Sequence, residues 1–553
     1  MSGQTPYNST FASYLRRRAF LLRLGLITGS IFIDGCIKKM TSKKYGFKGS
    51  LRGPNAAAGH ILRDKIAIAK PNKTVEVKIL IVGSGISGLS AARWLKQNGE
   101  EDFKIIELEN KTGGNSRSGK NNVSTHPLGA HYTTVANHDD DLLIDFFREH
   151  NVITHFENGK PYYNDYYLTF DPEERLLING EWQEGLVPDF GVPQKDKQQI
   201  KDFLKEMENL KKVKGKDGNY LFTIPIANCS KDPDVRKLDN ITFESYLKDK
   251  GYDSPYLLWY LNYACKDDYG QKIEKISAWA GLHYFASRRG KAANAEDNAV
   301  LTWPDGNAWL AVQMTKKLET HISTTSLCYE ISETANGKIK AWIYNLATKQ
   351  STYIIAQKLI LATPQYVNQE LLKDVFRPNF DHKKLTYSPW LIANITVSDL
   401  PNAKGIPLCW DNVAYNMPSV GYVNATQQNI SMINKDKVLT YYLPLCDYEP
   451  TISRLAAYTR TYEQWLDIIM PELTYIHPEI ETAIKEIDLW VWGHGMIAPT
   501  PNLIFGDNLA EGRRPIDNKI FFAHTDLSGI SIFEEAFHQG ILAAKQVTSH
   551  DQA

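Results

Sequence analysis

Residues 75–97 constrain this chain more than any other stretch. Val75-Glu76-Val77-Lys78-Ile79-Leu80-Ile81-Val82 alternates and then runs apolar, as a strand buried toward its end does, and it stops at a glycine. Gly83-Ser84-Gly85-Ile86-Ser87-Gly88 follows with G-x-G-x-x-G spacing, and residues 87–97 carry the apolar period of a helix. A strand, three spaced glycines and a helix in that order open a doubly wound α/β domain that binds a dinucleotide. Gly83 permits the tight turn, Gly85 lets backbone approach a pyrophosphate, and Gly88 lets helix and strand pack closely. The N–H groups of Ile86 and Ser87 at the helix start then face the phosphates. A second strand is expected over residues 103–108. Glu107, near its end, stands 24 residues after Gly83, where an acid accepts hydrogen bonds from ribose hydroxyls.

With 553 residues the chain exceeds what one core organises, so interleaved domains are expected. Lys plus Arg and Asp plus Glu number 63 each, which leaves no electrostatic footprint for a polyanion and excludes nucleic acid as a partner. Aromatic residues make up 11%, enough to line a cavity as well as fill a core. Helices are expected over residues 139–150 and 196–212. Strands are expected over 325–362 with an Asn336-Gly337 hairpin turn, and a last strand over 519–523 precedes a helix starting near Phe533.

Six residues past Glu107 come Gly113-Gly114-Asn115-Ser116-Arg117. Together with the first glycine motif, this stretch resembles the paired fingerprints of the flavin-containing amine oxidase superfamily, which includes monoamine oxidases, polyamine oxidases and phytoene desaturases. In that family an Arg directly follows the glycine pair and meets the phosphates. Here Asn115 stands in that place after Gly114, and Arg117 comes two residues later. The resemblance continues at Pro127-Leu128-Gly129-Ala130-His131-Tyr132, where Gly129, Ala130 and His131 would run beside the isoalloxazine, and at Trp303-Pro304-Asp305-Gly306-Asn307. Ala362-Thr363-Pro364 matches the strand end on the adenosine side. The 521–526 and 532–536 segments resemble the family's last motif. There an acid, Asp526 in this chain, contacts the ribityl-phosphate arm, and the helix start at Ile532 and Phe533 faces the flavin pyrimidine and favours negative charge on it.

The resemblance spans about residues 75–548 and implies FAD as the cofactor. It also implies a Rossmann-like FAD-binding domain of discontinuous segments with an interleaved α+β substrate domain. The expected division gives residues 75–135, 286–369 and 486–548 to the FAD-binding domain and residues 136–285 and 370–485 to the substrate domain. The implied reaction is oxidation of an amine or polyamine by hydride transfer to the flavin N5. Many amine-oxidising members carry a Lys bonded through water to N5, on a strand that corresponds here to residues 387–396. That stretch has no Lys, and Asn394 or an unpaired backbone group is the candidate to hold the water. Trp492 and His494 are candidate pocket residues, because the family places pocket residues in that run; core packing is the competing reading. His131 is a candidate proton acceptor or a satisfied histidine bonded to backbone. Asp267-Asp268 would bind a distal ammonium or form a solvated turn. No metal-ligand spacing and no G-x-S-x-G elbow is found. Two other functions stay open: a desaturase or isomerase of an apolar substrate, and a periplasmic binding or assembly protein with structural FAD.

The first 36 residues read as a targeting segment. Arg17-Arg18-Ala19-Phe20-Leu21 resembles a twin-arginine export signal, which carries folded, cofactor-loaded proteins, and a short apolar run over residues 24–33 follows. Ile33-Asp34-Gly35-Cys36 resembles a lipobox. The expectation is a bacterial periplasmic or exported protein, lipid-anchored through Cys36, with residues 37–74 as a tether. Cys229, Cys265, Cys328, Cys409 and Cys446 remain, with no C-x-x-C spacing, and one or two bridges would suit an oxidising compartment.

Overall fold

A computed structural model describes residues 45–549 except 298, 374–376, 378, 399, 401–403 and 430–434. The export signal and the lipobox lie outside the described residues.

Two large sheets organise the body. One has seven strands in the order Ile322–Ser323, Phe103–Ile106, Lys73–Val82, Ser351–Leu361, Ile339–Asn345 and Ser326–Glu333, with Ile520–Phe522 also on Ser351–Leu361. Its first members and Ile520–Phe522 pair parallel. The strand Ser351–Leu361 holds two partners along one edge: Ile339–Asn345 against its first half and Ile520–Phe522 against its last three residues. Ile79, Leu80 and Ile81 are fully buried, and burial of such a side chain contributes about 1.5–3 kcal/mol each. The hairpin turn at Asn336-Gly337 forms as expected, with Gly337 at φ +73°.

Helix Ile86–Gln97 follows the phosphate turn and packs against the last helix, Phe533–Ser549. Gly540 makes that approach feasible, since a Cβ there would lie 2.1 Å from the Ser87 carbonyl oxygen. The two helices are far apart in sequence, so the C-terminus completes the domain that residue 73 begins.

The other sheet has eight strands, ordered Lys48–Arg52, Ile484–Ile497, Tyr387–Val397, Lys437–Pro444, Tyr422–Asn424, Asp411–Ala414, Glu174–Ile178 and Glu181–Glu184. Alternation decides which residues of Tyr387–Val397 face which side: Leu391, Ala393 and Ile395 join one apolar cluster, and Trp390 and Ile392 join another. Two sequence expectations change here. Residues 48–63 are not a bare tether, for they form the edge strand Lys48–Arg52 and the helix Ala56–Arg63. Strand Ile484–Ile497 belongs to this sheet rather than to the dinucleotide-binding one. The five cysteines expected to supply a bridge are all free thiols.

Candidate active site

The phosphate turn is shaped by glycine at positions where nothing larger fits. Gly83 has φ +101°, and a Cβ on it would stand 2.6 Å from the Ala362 carbonyl oxygen; a Cβ on Gly88 would stand 2.0 Å from the Gly83 oxygen. Gly85 is different: its Cβ direction is open, with Gly114 Cα the nearest atom at 3.8 Å. Gly85 and Gly114 (φ +58°) thus leave a cradle that side chains would fill. Helix Ile86–Gln97 starts at Gly85 with no side-chain cap, so the N–H groups of its first turn, which includes Ile86 and Ser87, are free to meet an anion. This cradle fits the pyrophosphate of FAD.

Beyond the turn, Glu107 is buried. Its Oε2 accepts from the Ser84 N–H at 2.8 Å and the Ser84 hydroxyl at 2.7 Å, and its Oε1 accepts from the Glu109 N–H at 2.8 Å. Burial pushes the carboxyl above its ordinary value, opposed by these bonds. Ser84 therefore orients the acid expected to meet the ribose, a role that the variable position of G-x-G-x-x-G did not disclose. Arg117, the candidate to meet the cofactor's phosphates in place of the family's Arg, is engaged by other partners. Its guanidinium pairs with Glu109 at 3.0 Å, donates to Asn110 at 3.3 Å and lies over the Trp490 ring at 5.6 Å. Asn115, where the family's Arg would stand, donates to the Gly495 carbonyl oxygen.

A cavity opens over the face of the eight-stranded sheet that carries Trp390 and Ile392. Gly129, Ala130 and His131 form one wall, and Ile532, Phe533 and Glu534 form another at the start of the last helix. Trp492 contributes its ring to the cavity, and its indole N–H donates to the Leu128 carbonyl oxygen at 2.5 Å, which fixes the loop before His131. Gly129 is required by this closeness, since its Cβ would meet the Asn115 carbonyl oxygen at 2.5 Å. His131 stacks on Tyr442 with ring centres 4.3 Å apart. Burial pushes its imidazole down to about 3, opposed by a hydrogen bond to the Gly129 backbone, so the ring is neutral and a weak base near pH 7. Of the two expected readings, the satisfied histidine bonded to backbone matches this contact.

Asp267 and Asp268 lie on this cavity rather than in a solvated turn. They end helix Pro255–Tyr269, and Tyr132 reaches them with its hydroxyl at 3.1 Å from Asp267 Oδ2 and 3.4 Å from Asp268 Oδ1. Arg288 is committed to Asp268, with Nη2 to Oδ2 at 2.7 Å, and also donates to the Tyr284 carbonyl oxygen. Burial, reinforced by the neighbouring Asp268, pushes the Asp267 carboxyl up to about 7. Arg288, Tyr442 and Trp390 also line the cavity; no motif marked them in the sequence.

Other expected residues are placed elsewhere. Asn394 shares the sheet face of Trp390 and Ile392 but lies beyond the cavity, where its Oδ1 accepts from the Thr440 hydroxyl at 2.8 Å. This corrects its assignment as a water-holding residue, and the strand presents Trp390 and Ile392 to the cavity instead. His494 is corrected too. Strand Ile484–Ile497 bulges between the pairs Trp390↔Trp492 and Ser388↔Met496, and a bulge of this kind re-aims side chains. His494 stacks on Tyr366 at 4.2 Å, away from the cavity, and burial holds its ring at about 3. Pro364 precedes the short helix Gln365–Leu371, whose Gln365 N–H donates to Asp526 Oδ2 at 2.7 Å. Tyr387 donates to the same oxygen at 2.6 Å. Burial alone would raise the Asp526 carboxyl, but His524 and these donors hold it below its ordinary value, as an anion ready to accept hydrogen bonds.

The model of the family of flavin containing amine oxidoreductases matches residues 86–548. Among solved structures, putrescine oxidase bound to putrescine is 15% identical, with 86% of this chain and 100% of that one covered and a TM-score of 0.59. Cyclohexylamine oxidase from Brevibacterium oxydans IH-35A is 13% identical, covering 87% and 100% with a TM-score of 0.60. A fatty acid isomerase from P. acnes that produces CLA is 17% identical, covering 84% and 97% with a TM-score of 0.57. No curated protein sequence matches. At these identities the structures share the fold, and the family match adds the chemistry of the cofactor. The chain belongs to the flavin-containing amine oxidoreductase family, and it is an FAD-dependent oxidoreductase.

Proposed function

We propose that this enzyme oxidises an amine carrying a second cationic group, a diamine or polyamine, with Asp267 holding the distal charge. The observation that carries this reading is the asymmetry of the acidic pair. Arg288 neutralises Asp268, whereas Asp267 accepts from a neutral phenol and is raised by burial and by its neighbour. An ammonium placed there would ionise Asp267 and form a charge-assisted hydrogen bond. Trp390, Trp492 and Tyr442 supply aromatic walls that orient an alkylamine.

Bound FAD supplies the two-electron acceptor. The residues of the chain position the substrate: Trp492 fixes the 128–131 loop, neutral His131 offers hydrogen bonding without a charge that would repel a cation, and Asp267 sets the distance between the bound ammonium and the reacting nitrogen. A desaturase or isomerase of an apolar chain would leave Asp267 facing hydrocarbon, a costly match for a carboxyl that titrates near neutrality. The test is anaerobic mixing of the holoenzyme with a series of α,ω-diamines and with monoamines of equal length. Flavin bleaching that is faster with diamines, and that peaks at one chain length, is expected. Bleaching by an apolar substrate but by no amine would remove the proposal.

A further inference from the structure

Residues 48–63 precede the family-matched region and run across both sheets. Strand Lys48–Arg52 pairs parallel with Ile484–Ile497, from Lys48↔Glu486 to Arg52↔Trp490. Gly49 fits only as glycine, because a Cβ would stand 1.8 Å from the Ile487 carbonyl oxygen and 2.1 Å from the Tyr462 hydroxyl. The Ser50 hydroxyl bonds Asp488 at 2.5 Å. Four residues later the chain crosses to the dinucleotide-binding side, where helix Ala56–Arg63 packs on strand Ser326–Glu333.

The crossing point is Asn55. Its side chain caps the helix at Ala58 N, while its own N–H donates to Glu109 Oε1 at 2.7 Å. Glu109 in turn donates its N–H to Glu107, the ribose acid. Asn55 also borders a hollow beside Glu107, walled by Leu108, Arg117, Thr325, Leu346 and Trp490. Trp490 is the residue that Arg52 registers against, and its buried indole N–H has no hydrogen-bond partner among the described residues. The hollow thus sets an indole wall and the Arg117 guanidinium beside Leu108, the neighbour in sequence of Glu107, a set that suits a purine with acceptor nitrogens.

We propose that residues 48–63 form a clasp that encloses the adenosine half of FAD in this hollow, so that the cofactor leaves only when the clasp opens. The edge strand ties the clasp to the substrate-side sheet, and Asn55 ties it through Glu109 to Glu107. Cofactor retention therefore depends on contacts made well away from the dinucleotide.

The test starts from the FAD-loaded full-length protein and follows flavin release by the rise in free-flavin fluorescence after dilution. Gly49→Val, which touches no cofactor residue, is expected to speed release about tenfold or more. The double variant Ser50→Cys with Asp488→Cys joins a registered pair, and its oxidised form is expected to slow release at least about tenfold, with the wild-type rate restored on reduction. If Gly49→Val fails to fold, the cross-linked pair decides. Release rates unchanged by the cross-link overturn the clasp, whatever the activity of the loaded enzyme.

Discussion

Replacing Asp267 by Asn removes a charge while leaving the side-chain volume and a hydrogen-bond acceptor for Tyr132. With the carboxyl titrating at about 7, its ionised fraction is roughly 10% at pH 6 and roughly 90% at pH 8. A diamine and its monoamine analogue must both lose the proton of the reacting nitrogen, so the ratio of their kcat/KM values cancels that requirement and isolates Asp267. In the wild type the ratio is expected to rise about tenfold between pH 6 and pH 8. In Asp267→Asn it is expected to be flat and, at pH 8, about 10- to 150-fold lower, the equivalent of ~1.5–3 kcal/mol for a charge-assisted hydrogen bond. Stability should move the other way. The folded carboxyl titrates above its unfolded value of about 3.9, so the folded state binds the extra proton and stability falls as pH rises from about 4 to about 7. The variant escapes this loss. Its Tm should exceed that of the wild type at pH 8 and match it near pH 4. Stopped-flow flavin reduction and thermal unfolding across pH measure both. A wild-type ratio without pH dependence, or an equal slope in the variant, would refute the reasoning.

Three further outcomes are expected, two from the geometry and one from the sequence. Gly88→Ala places a methyl 2.0 Å from the Gly83 carbonyl oxygen and is expected to yield protein that purifies without flavin, read from the absorbance ratio of flavin to protein. Trp492→Phe removes the bond to the Leu128 carbonyl oxygen, at a cost of about 1 kcal/mol. It should raise KM for amines several-fold with a smaller change in Tm, measured by steady-state kinetics and differential scanning. The combined change Arg17→Lys and Arg18→Lys is expected to hold the protein in the cytosol, read by cell fractionation, and unchanged export would remove the twin-arginine proposal.

Legibility in the sequence followed locality. The phosphate turn, Glu107 and the Asn336-Gly337 hairpin depend on neighbours a few residues apart, and their spacing alone identified them. The cavity depends on residues near 130, 267, 288, 390, 442 and 492, which only the pairing of strands distant in sequence and the packing of helix Pro255–Tyr269 bring together, so Arg288 and Tyr442 carried no local signal. His494 shows how a local rule fails. Alternation from Trp492 puts it in the cavity, and the bulge opposite Pro389 turns it out again. Residues 48–63 looked like a tether because their strand finds its partner more than four hundred residues away, beyond the reach of any periodicity.

The double pairing of Ser351–Leu361 bears on the timing of synthesis. Its last three residues wait for Ile520–Phe522, and helix Ile86–Gln97 waits for helix Phe533–Ser549. The ribosome emits the roughly 420 residues between Glu107 and Asp526 in about 20–80 s at ordinary elongation rates. During that interval the glycine turn lacks its C-terminal half, and parallel strand edges stand uncovered. FAD therefore meets a complete site only once residues 520–540 have been made, which makes the flavin a reporter of that segment: a truncation before residue 520 should emerge colourless however well the preceding part folds.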